Sequence, residues 1–378
     1  MKTDNTLAME NKGRKPLNED GKPLKRGWTT GACATAATKS ALNALLTGTF
    51  QDPVSITLPK GEEPSFPLAH EKKGDDYAEA GIIKDAGDDP DVTHGAMVVA
   101  RIRKAAEGQG IVFKAGKGVG MVTKPGLPIP VGEPAINPVP RQLMSEVVKS
   151  ACDAHGIGAD FEIEISIPDG EEMATKTWNP RLGIVGGLSI LGTTGIVHPF
   201  SCSAWIHSIH RGIDVACAEG LPHVVGSTGS TSEKAAQDHF NLPDHAMLDM
   251  GDFVGGLLKY LRNHPVPRLT IAGGFAKLTK LGQGFMDLHS GRSQVDFNWL
   301  AERANEAGIR QLSDAIRSAN TAHHARELAL DDGVDLAPII ARHARTKAMA
   351  LIGDAPITID IMVVDKQGII VAHEDGDE

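Results

Sequence analysis

Four aspartates and a histidine lie within the twelve residues 84–95, KDAGDDPDVTHG. Carboxylates at this density resemble a calcium site, and an EF-hand loop begun at Asp85 would place Asp89 and Asp91 at ligand positions. The twelfth residue of that loop would be Ala96, where a bidentate glutamate is required. The spacing therefore excludes an EF-hand. It favours a structured turn, because aspartates in turns commonly accept hydrogen bonds from nearby backbone.

A second candidate site is the segment VVGSTGSTSEK, residues 224–234, which reads as an apolar strand, a small-residue loop and the start of a helix. Ligands of open α/β sheets bind outside the carboxyl ends of the strands, and an acidic residue such as Asp249 after the next strand often holds a ribose. The loop matches neither GxGxxG nor GxxxxGK[ST], so a plain connector stays open as the alternative. Its glycines should permit unusual backbone angles. The cofactor-binding candidates here are Gly226, Ser227, Thr228, Gly229, Ser230 and Asp249.

Residues 181–201, RLGIVGGLSILGTTGIVHPFS, carry five glycines in an otherwise apolar run. This density favours backbone wrapped around a flat or extended ligand, although a tightly packed strand and turn would have the same composition. Gly192, Thr193 and Thr194 are the further cofactor candidates of this segment.

The segment GKGVGMVTKPGLPIPVGEPAINPVPR, residues 116–141, is rich in glycine and proline and carries Lys117, Lys124 and Arg141. Proline fixes the backbone before a ligand arrives, which reduces the entropy lost on binding. Long loops in compact domains are usually functional. We therefore interpret this loop as a binding segment.

The elements that would position these residues follow from periodicity. Residues 29–48 form a helix with Thr29 or Thr30 as its N-cap, whose free amides either face an anionic ligand or simply begin a core helix. Four runs are typical of strands, 54–59, 77–83, 95–103 and 110–116. A helix over 135–156 and a strand over 160–168 complete an α+β domain with a mixed or antiparallel sheet.

The second half alternates strands with helices, which predicts a parallel sheet. Predicted strands cover 222–227, 245–250 and 268–274, with helices over 200–220, 231–240, 251–264 and between 295 and 348, and late strands over 357–365 and 369–374. The fold class is therefore an α+β N-terminal domain plus a three-layer, Rossmann-like α/β C-terminal domain. The predicted organisation is a disordered tail over 1–23, a first domain over 24–180 and a second over 181–378, with the late strands free to return to the first.

Composition bounds the function. A chain of 378 residues with 41% hydrophobic and 23% charged residues is typical of a globular protein of two domains. The net charge of −10 argues against a general nucleic-acid binder. The cysteines at 33, 152, 202 and 217 are widely spaced and indicate buried free thiols. We find no signal peptide or apolar run of membrane-spanning length, so the expected location is cytoplasmic, with no membrane partner.

Several long motifs together resemble the CbiD family, the cobalt-precorrin-5B C(1)-methyltransferases of anaerobic cobalamin synthesis. They run in the family's order from residue 26 to about residue 300, and His198 and Gly274 depart from its usual pattern. The motifs are GWTTGACATAA, ITLPKG, IIKDAGDDPDVTHG, VTKPGLPIPVGEPAINPVPR, LGIVGGLSILGTTGIV, SEK and MGDFVG. The resemblance implies two α/β-type domains and transfer of a methyl group from S-adenosylmethionine to carbon 1 of a cobalt-containing tetrapyrrole.

Such a substrate brings its own cobalt, so we expect the protein to need no metal site, and its acetate and propionate groups call for cationic or amide donors. Proximity and orientation supply much of the rate of such a transfer. The catalytic residue is unknown, with Asp85 and His94 as candidates. The substrate-binding candidates are Thr29, Thr30, Lys60, Lys117, Lys124, Asn137, Arg141 and Arg181.

Two alternatives remain open at this level. One is a nucleotide-dependent transferase that uses the 226–230 loop for phosphate, although no lysine ends that loop. The other is a non-catalytic tetrapyrrole carrier, which would leave the strand, loop and helix over 222–240 unexplained. Homo-oligomers and transient contacts with neighbouring enzymes of the pathway also stay open.

Overall fold

A computed structural model describes residues 22–377. The predicted disordered tail therefore lies almost entirely outside the described residues. Within this range the chain divides into two compact units, the first containing residues 22–123, 128–180 and 184–201, the second 124–127, 181–183 and 202–377. The predicted boundary at 180/181 falls too early, because the glycine-rich run up to residue 201 packs with the first unit.

The first unit is built on a five-stranded sheet with the order β4-β5-β6-β10-β7. All neighbours in this sheet are antiparallel except β10 and β7, which are parallel, so the predicted mixed sheet is confirmed. The elements of the first unit are β1 (Gly27–Trp28), α1 (Thr30–Thr47), β2 (Val54–Ser55), β3 (Ser65–Phe66), β4 (His70–Lys73), β5 (Tyr77–Ile83), β6 (Met97–Lys104), β7 (Ile111–Ala115), β8 (Gly118–Val119), β9 (Met121–Val122), α2 (Pro138–His155), β10 (Phe161–Ser166), α3 (Gly170–Ala174), β11 (Ile184–Val185), β12 (Gly187–Leu188) and β13 (Ile196–Val197).

Helix α1 is the centre of the first core. It begins after the N-cap Thr29, whose hydroxyl accepts the Ala32 N–H, and ends at Gly48 in the left-handed region. Its buried residues are mostly small, with alanine the commonest, which lets it lie close against β5 and β6, with α2 beside it. The strand predicted over 54–59 shrinks to Val54–Ser55, since beyond it the chain turns back at Gly61 to pair with β3.

Two-residue strands fix the glycine-rich segments of the first unit. Strand β12 pairs with β8, β11 with β9, and β13 with β1. Where β8 and β12 meet, a Cβ on Gly187 would lie 2.2 Å from the Gly118 carbonyl oxygen, so only glycine permits this approach. The 181–201 run is therefore largely packed backbone.

The second unit is built on a five-stranded sheet with the order β15-β14-β16-β17-β18. Its first four strands are parallel and β18 is antiparallel to β17, so the late strands stay in the second unit and do not return to the first. The elements of the second unit are α4 (Cys202–Ala218), β14 (His223–Ser227), α5 (Ser230–Phe240), β15 (Met247–Asp249), α6 (Val254–Leu261), β16 (Arg268–Gly274), α7 (Phe275–Gly282), α8 (Phe297–Glu306), α9 (Ser313–Arg317), α10 (Ala322–Asp331), α11 (Ala337–Ile352), β17 (Thr358–Val364) and β18 (Ile370–Glu374).

Helices cover both faces of this sheet. Helix α5 packs on one face over a small apolar cluster that includes Val225 and Met362. Helices α4, α6, α7 and α11 belong to a larger core that includes Leu269 and Ile361 and covers the other face. The chain leaves β14 for β15 on one side and then crosses to β16 on the other. Its strand order therefore reverses between β14 and β16, where open sheets form a crevice.

The cysteines of the described residues differ in their burial. Within residues 22–377 none of the four cysteines forms a disulfide, but only Cys33 and Cys152 are buried, while Cys202 is half-buried and Cys217 is exposed. Among residues 22–377 no helix is both long and apolar enough to cross a membrane.

Candidate functional site

The carboxyl ends of β14, β15 and β16 meet at the point where the strand order reverses. Ser227 stands in register with Asp249 on one side and with Ala272 on the other. The loop after β14 is tied to both neighbours, because the Thr228 N–H donates to the Ala272 carbonyl at 3.0 Å and the Gly251 N–H donates to the Ser227 carbonyl at 2.9 Å. The structure thus brings together the candidates of the 226–230 loop and Asp249.

The two glycines of this loop work differently from the prediction. Neither lies in the left-handed region, and Gly229 is extended, with φ of 170°. A Cβ on Gly226 would lie 2.5 Å from Leu257 Cδ2, so this glycine is required for packing against α6. A Cβ on Gly229 would meet nothing within 4 Å, so this residue borders open space at the start of α5. A substitution at Gly229 can therefore test whether a ligand binds in the crevice, because its Cβ would not clash with the fold.

The first turn of α5 carries a carboxylate that sequence reasoning overlooked. Glu233 accepts hydrogen bonds from the Arg181 guanidinium at 2.6 and 3.0 Å and from the Ser227 hydroxyl at 3.3 Å. Arg181 also donates to the Met247 carbonyl at 3.4 Å, and the bond to Glu233 raises its pKa. The predicted substrate role of Arg181 is thus disfavoured, since its charge is already balanced. Its position beside β15 depends on tertiary contacts that no local motif signals.

Asp249 is the carboxylate at this edge that lacks a hydrogen-bond donor within the part of the chain that the structure describes. Burial raises its pKa, the negative charge of Glu233 raises it further, and Arg181 partly opposes both effects. A half-buried carboxylate without a partner is costly to stability, and such groups are enriched at functional sites. Asp249 therefore has the chemistry of a ligand acceptor, for instance for a pair of hydroxyl groups.

The threonines at the start of α1 are occupied by the fold. The Thr30 hydroxyl accepts the Leu191 N–H at 2.9 Å, and the Gly31 N–H donates to the Leu191 carbonyl at 2.9 Å. Gly192, with φ of 131°, lies against the Thr29 side chain. The Gly31 and Ala32 amides of this helix therefore already have acceptors, which favours the alternative of a core helix over a helix start that faces an anionic ligand.

The other candidates of that loop serve the same packing. Thr194 Oγ1 accepts the Ile196 N–H at 3.3 Å in a local turn, and Thr193 is exposed. These residues and Gly192 belong to the first unit, whereas the 226–230 loop belongs to the second.

Arg141 holds the proline-rich loop that precedes its own helix. Its guanidinium donates to the carbonyls of Ile136 at 2.8 Å and Pro134 at 3.0 Å, and to the Glu133 carboxylate at 3.2 Å. Asn137 is the N-cap position of α2, makes no side-chain capping bond, and its carbonyl accepts the Arg141 N–H. The guanidinium is thus committed to the loop, which contradicts the prediction of a free clamp for substrate carboxylates.

The remaining predicted cations differ in their surroundings. Lys124 forms an ion pair with Glu219 in the second unit. Lys60 and Lys117 are exposed, and within residues 22–377 no carboxylate lies at ion-pair distance from either. The proline-rich loop and the edge strand β7 border an open cavity of 460 Å³ lined by Phe113, Lys114 and Arg141, among others. Lys114, which the sequence interpretation overlooked, is an exposed cation on this cavity.

The aspartates of the 84–95 segment each bind protein groups. Asp85 accepts from Lys25 Nζ at 2.6 Å and Asp88 from the Lys25 N–H at 2.6 Å, while Asp89 accepts the Phe200 N–H at 2.9 Å. Asp91 accepts from Nζ of the fully buried Lys84 at 2.6 Å. Among the described residues no group of three or more His, Cys, Asp or Glu side chains could hold a metal ion.

The two catalytic candidates in that segment are poorly suited to act as bases. The hydrogen bond from Lys25 lowers the pKa of Asp85. His94 Nδ1 accepts the Ala86 N–H at 3.1 Å, so the neutral ring carries its proton on Nε2. This geometry favours a turn in which both side chains order the backbone.

Together the two units define a mixed α/β protein with an open sheet whose reversal point carries small residues and an unpaired carboxylate. Two family models match the chain, CbiD over residues 17–199 and the CbiD C-terminal domain over residues 287–375. The chain belongs to the CbiD family.

Curated relatives carry a specific name. Proteins called cobalt-precorrin-5B C(1)-methyltransferase from Brucella anthropi and Brucella canis are 62% and 61% identical to this chain. The alignments cover 93% and 94% of this chain and 95% and 97% of the relatives. The crystal structure of the cobalamin biosynthesis protein cbiD from Archaeoglobus fulgidus is 28% identical, with 78% of this chain and 87% of that chain covered and a TM-score of 0.39.

Proposed function

We propose that this protein is the methyltransferase that methylates carbon 1 of cobalt-precorrin-5B in cobalamin biosynthesis. The observation that carries this proposal is the 62% identity, over nearly the whole length of both chains, to a relative that bears the name of that activity. The nucleotide-dependent transferase and the non-catalytic carrier are not favoured. The cobalt is part of the substrate.

The methyl donor that we propose is S-adenosylmethionine, bound at the carboxyl edge of the second sheet. A Rossmann-like role for this sheet is supported by the reversal of strand order between β14 and β16. When bound, the sulfonium supplies an electrophilic methyl group. The chain has to hold donor and acceptor in line, and orientation of this kind can supply much of the rate.

The residues at this edge fit the donor by their chemistry. Gly229 leaves room at the start of α5. The described residues offer no backbone acceptor to the first amides of that helix, so these amides can bind the carboxylate of the donor. The Asp249 carboxylate can accept from ribose hydroxyls. The buried Ser227, bonded to Glu233, keeps the β14 end rigid.

For the substrate we propose the proline-rich loop and its cavity beside β7. The support is a 460 Å³ opening with the aromatic ring of Phe113 and the unpaired cation Lys114 on its wall. Lys117, at the start of the loop, is a second unpaired cation for a macrocycle that carries several carboxylates. Lys60 stays a further candidate.

Calorimetric titration with S-adenosylhomocysteine tests the donor site. Gly229→Val should weaken binding by at least about ten-fold, because its side chain would extend into the crevice from a Cβ that has no atom of the fold within 4 Å. Asn263→Val, at an exposed position after the end of α6 near the opposite edge of the sheet, is the matched control and should bind normally.

Thermal unfolding of both variants verifies that they are folded. A folded Gly229→Val protein with wild-type affinity would place the donor elsewhere. Binding of ATP in preference to S-adenosylhomocysteine would instead favour the nucleotide-dependent transferase.

A further inference from the structure

Trp205 is an exposed aromatic residue in the first part of α4, with 45% of its surface accessible. The buried residues of α4 continue from it at helical spacing, through Ile209, Ile213 and Ala216. Helix α4 leads into β14 and therefore runs back along the sheet, so its first turns lie at the carboxyl ends of the strands. Trp205 extends the apolar stripe of the helix beyond the core.

The indole is fixed in place by contacts with the loop after β15. Its Nε1–H donates to the Asp249 carbonyl at 2.9 Å. Gly251, with φ of 55°, lies next to the ring, and a Cβ there would be 3.4 Å from the indole. The Phe253 ring packs at a tilt with its centroid 6.3 Å away. A ring anchored in this way loses little entropy when a ligand covers it.

These contacts leave a substantial part of the aromatic surface in solvent, next to Asp249, whose carboxylate has no hydrogen-bond donor among residues 22–377. The indole N–H bonds the backbone carbonyl of Asp249, so a flat apolar surface lies next to the residue that carries the hydroxyl acceptor. In a nucleoside, a flat base and a pair of ribose hydroxyls are likewise adjacent. The arrangement therefore complements a nucleoside better than it complements the methionine portion of the donor.

We propose that Trp205 forms the wall on which the adenine ring of the methyl donor stacks, while Asp249 accepts hydrogen bonds from the adjoining ribose. This inference rests on the proposed donor site at the carboxyl edge of the second sheet. Trp205 orients the nucleoside, takes no part in bond making, and is thus a positioning and specificity-determining residue. Aromatic rings serve this purpose because every purine face can stack on them.

Calorimetry with S-adenosylhomocysteine and with adenosine distinguishes a failure of stacking on Trp205 from a failure of the proposed donor site. Trp205→Ala should lower the affinity for both ligands by about ten-fold or more. Trp205→Phe, which keeps a stacking ring, should lower it by less than about five-fold. Trp299→Phe is the control in the same unit, because that ring packs on Arg303 and His343.

Equal affinity of wild type and Trp205→Ala, with Gly229→Val still impaired, would overturn the stacking and leave the donor site in place. Normal affinity in both Trp205→Ala and Gly229→Val would overturn the stacking and the donor site together.

Tryptophan fluorescence provides a readout that does not depend on activity or on the alanine variant being folded. S-adenosylhomocysteine should quench part of the wild-type emission, and this change should vanish in Trp205→Phe but persist in Trp299→Phe. A quench that persists in Trp205→Phe at saturating ligand would overturn the proposal.

Discussion

Arg181 grips the carboxylate of Glu233 with both terminal nitrogens, Nη1–H donating at 3.0 Å and Nη2–H at 2.6 Å. Arg181 lies in a three-residue stretch that belongs to the second unit, although the residues on either side of it belong to the first. The pair therefore fastens this stretch to α5. Because Glu233 also accepts from Ser227, the same bonds order the end of β14.

Loss of this pair should show in stability. Arg181→Ala leaves the Glu233 carboxylate, which is 15% exposed, without its partner, and we expect the free energy of unfolding to fall by about 1–3 kcal/mol. The control is Lys234→Ala, which breaks the exposed pair with Asp238. It should change the free energy of unfolding by less than about 0.5 kcal/mol. Urea unfolding of both variants measures the difference, and equal stability would contradict the assignment.

Asp249→Asn should stabilise the protein and weaken donor binding at once. The folded-state pKa of Asp249 is raised, so ionisation above that pKa opposes folding. The gain from asparagine should therefore be present at pH 7, at up to about 1 kcal/mol, and disappear as the pH falls below the ordinary value of 3.8. Unfolding curves at pH 7 and pH 3, with calorimetry at pH 7, test both halves. A variant less stable at pH 7 would show that Asp249 has a partner in the fold.

Substitution of Arg141 should mainly lower stability, whereas substitution of Lys114 should mainly weaken substrate binding. Arg141→Ala removes bonds to Glu133, Pro134 and Ile136, so we expect a lower melting temperature and a smaller rise in the KM for the tetrapyrrole than Lys114→Ala causes. Lys114→Ala removes an exposed cation, so we expect an unchanged melting temperature. Its KM should rise about ten-fold if a substrate carboxylate binds there. The reverse pattern would restore Arg141 as the clamp.

The pair of Asp91 and Lys84 should govern part of the acid stability of the first unit. Burial alone would raise the pKa of Asp91, but the Lys84 ammonium and hydrogen bonds from Thr93 outweigh burial and lower it. Its stabilising effect is therefore complete above the ordinary value of 3.8 and is lost as the pH falls through the lowered value.

Asp91→Asn should accordingly lower the free energy of unfolding by about 2–4 kcal/mol at pH 7, since it strands the buried Lys84. The deficit should shrink below pH 4, where wild type loses the same interaction. A deficit that is independent of pH would show that charge is not its cause. Asp88→Asn, an exposed aspartate of the same turn, serves as the control.

Chelation should leave the protein unchanged. The carboxylates of the 84–95 turn already accept from Lys25, Phe200 and Lys84, so a divalent ion would have to displace these donors. We expect no stoichiometric divalent ion by elemental analysis of the substrate-free protein. The melting temperature and the affinity for S-adenosylhomocysteine should be the same before and after EDTA treatment. A bound ion that is lost in Asp88→Ala and Asp89→Ala would contradict this.

The sequence by itself determined the elements whose signals are local. The cap at Thr29, the glycine after α1 and the alternation of polar and apolar residues in β10 act within a few residues of chain, so helix, strand and their bounds could be predicted within a few residues. Strands alternating with helices likewise predicted the parallel order of the second sheet, because crossover connections allow little else. The long motifs indicated the family.

Only the tertiary structure decided which polar groups are free. Arg141, Arg181 and the Thr30 hydroxyl look like ligand donors in the sequence, yet each is neutralised or satisfied within the fold, two of them by partners distant in the chain. Trp205 and Asp249, 44 residues apart, meet through a single hydrogen bond. Burial and pairing depend on the three-dimensional neighbours of a group, and for these residues the neighbours come from strands and helices that a one-dimensional pattern does not bring together.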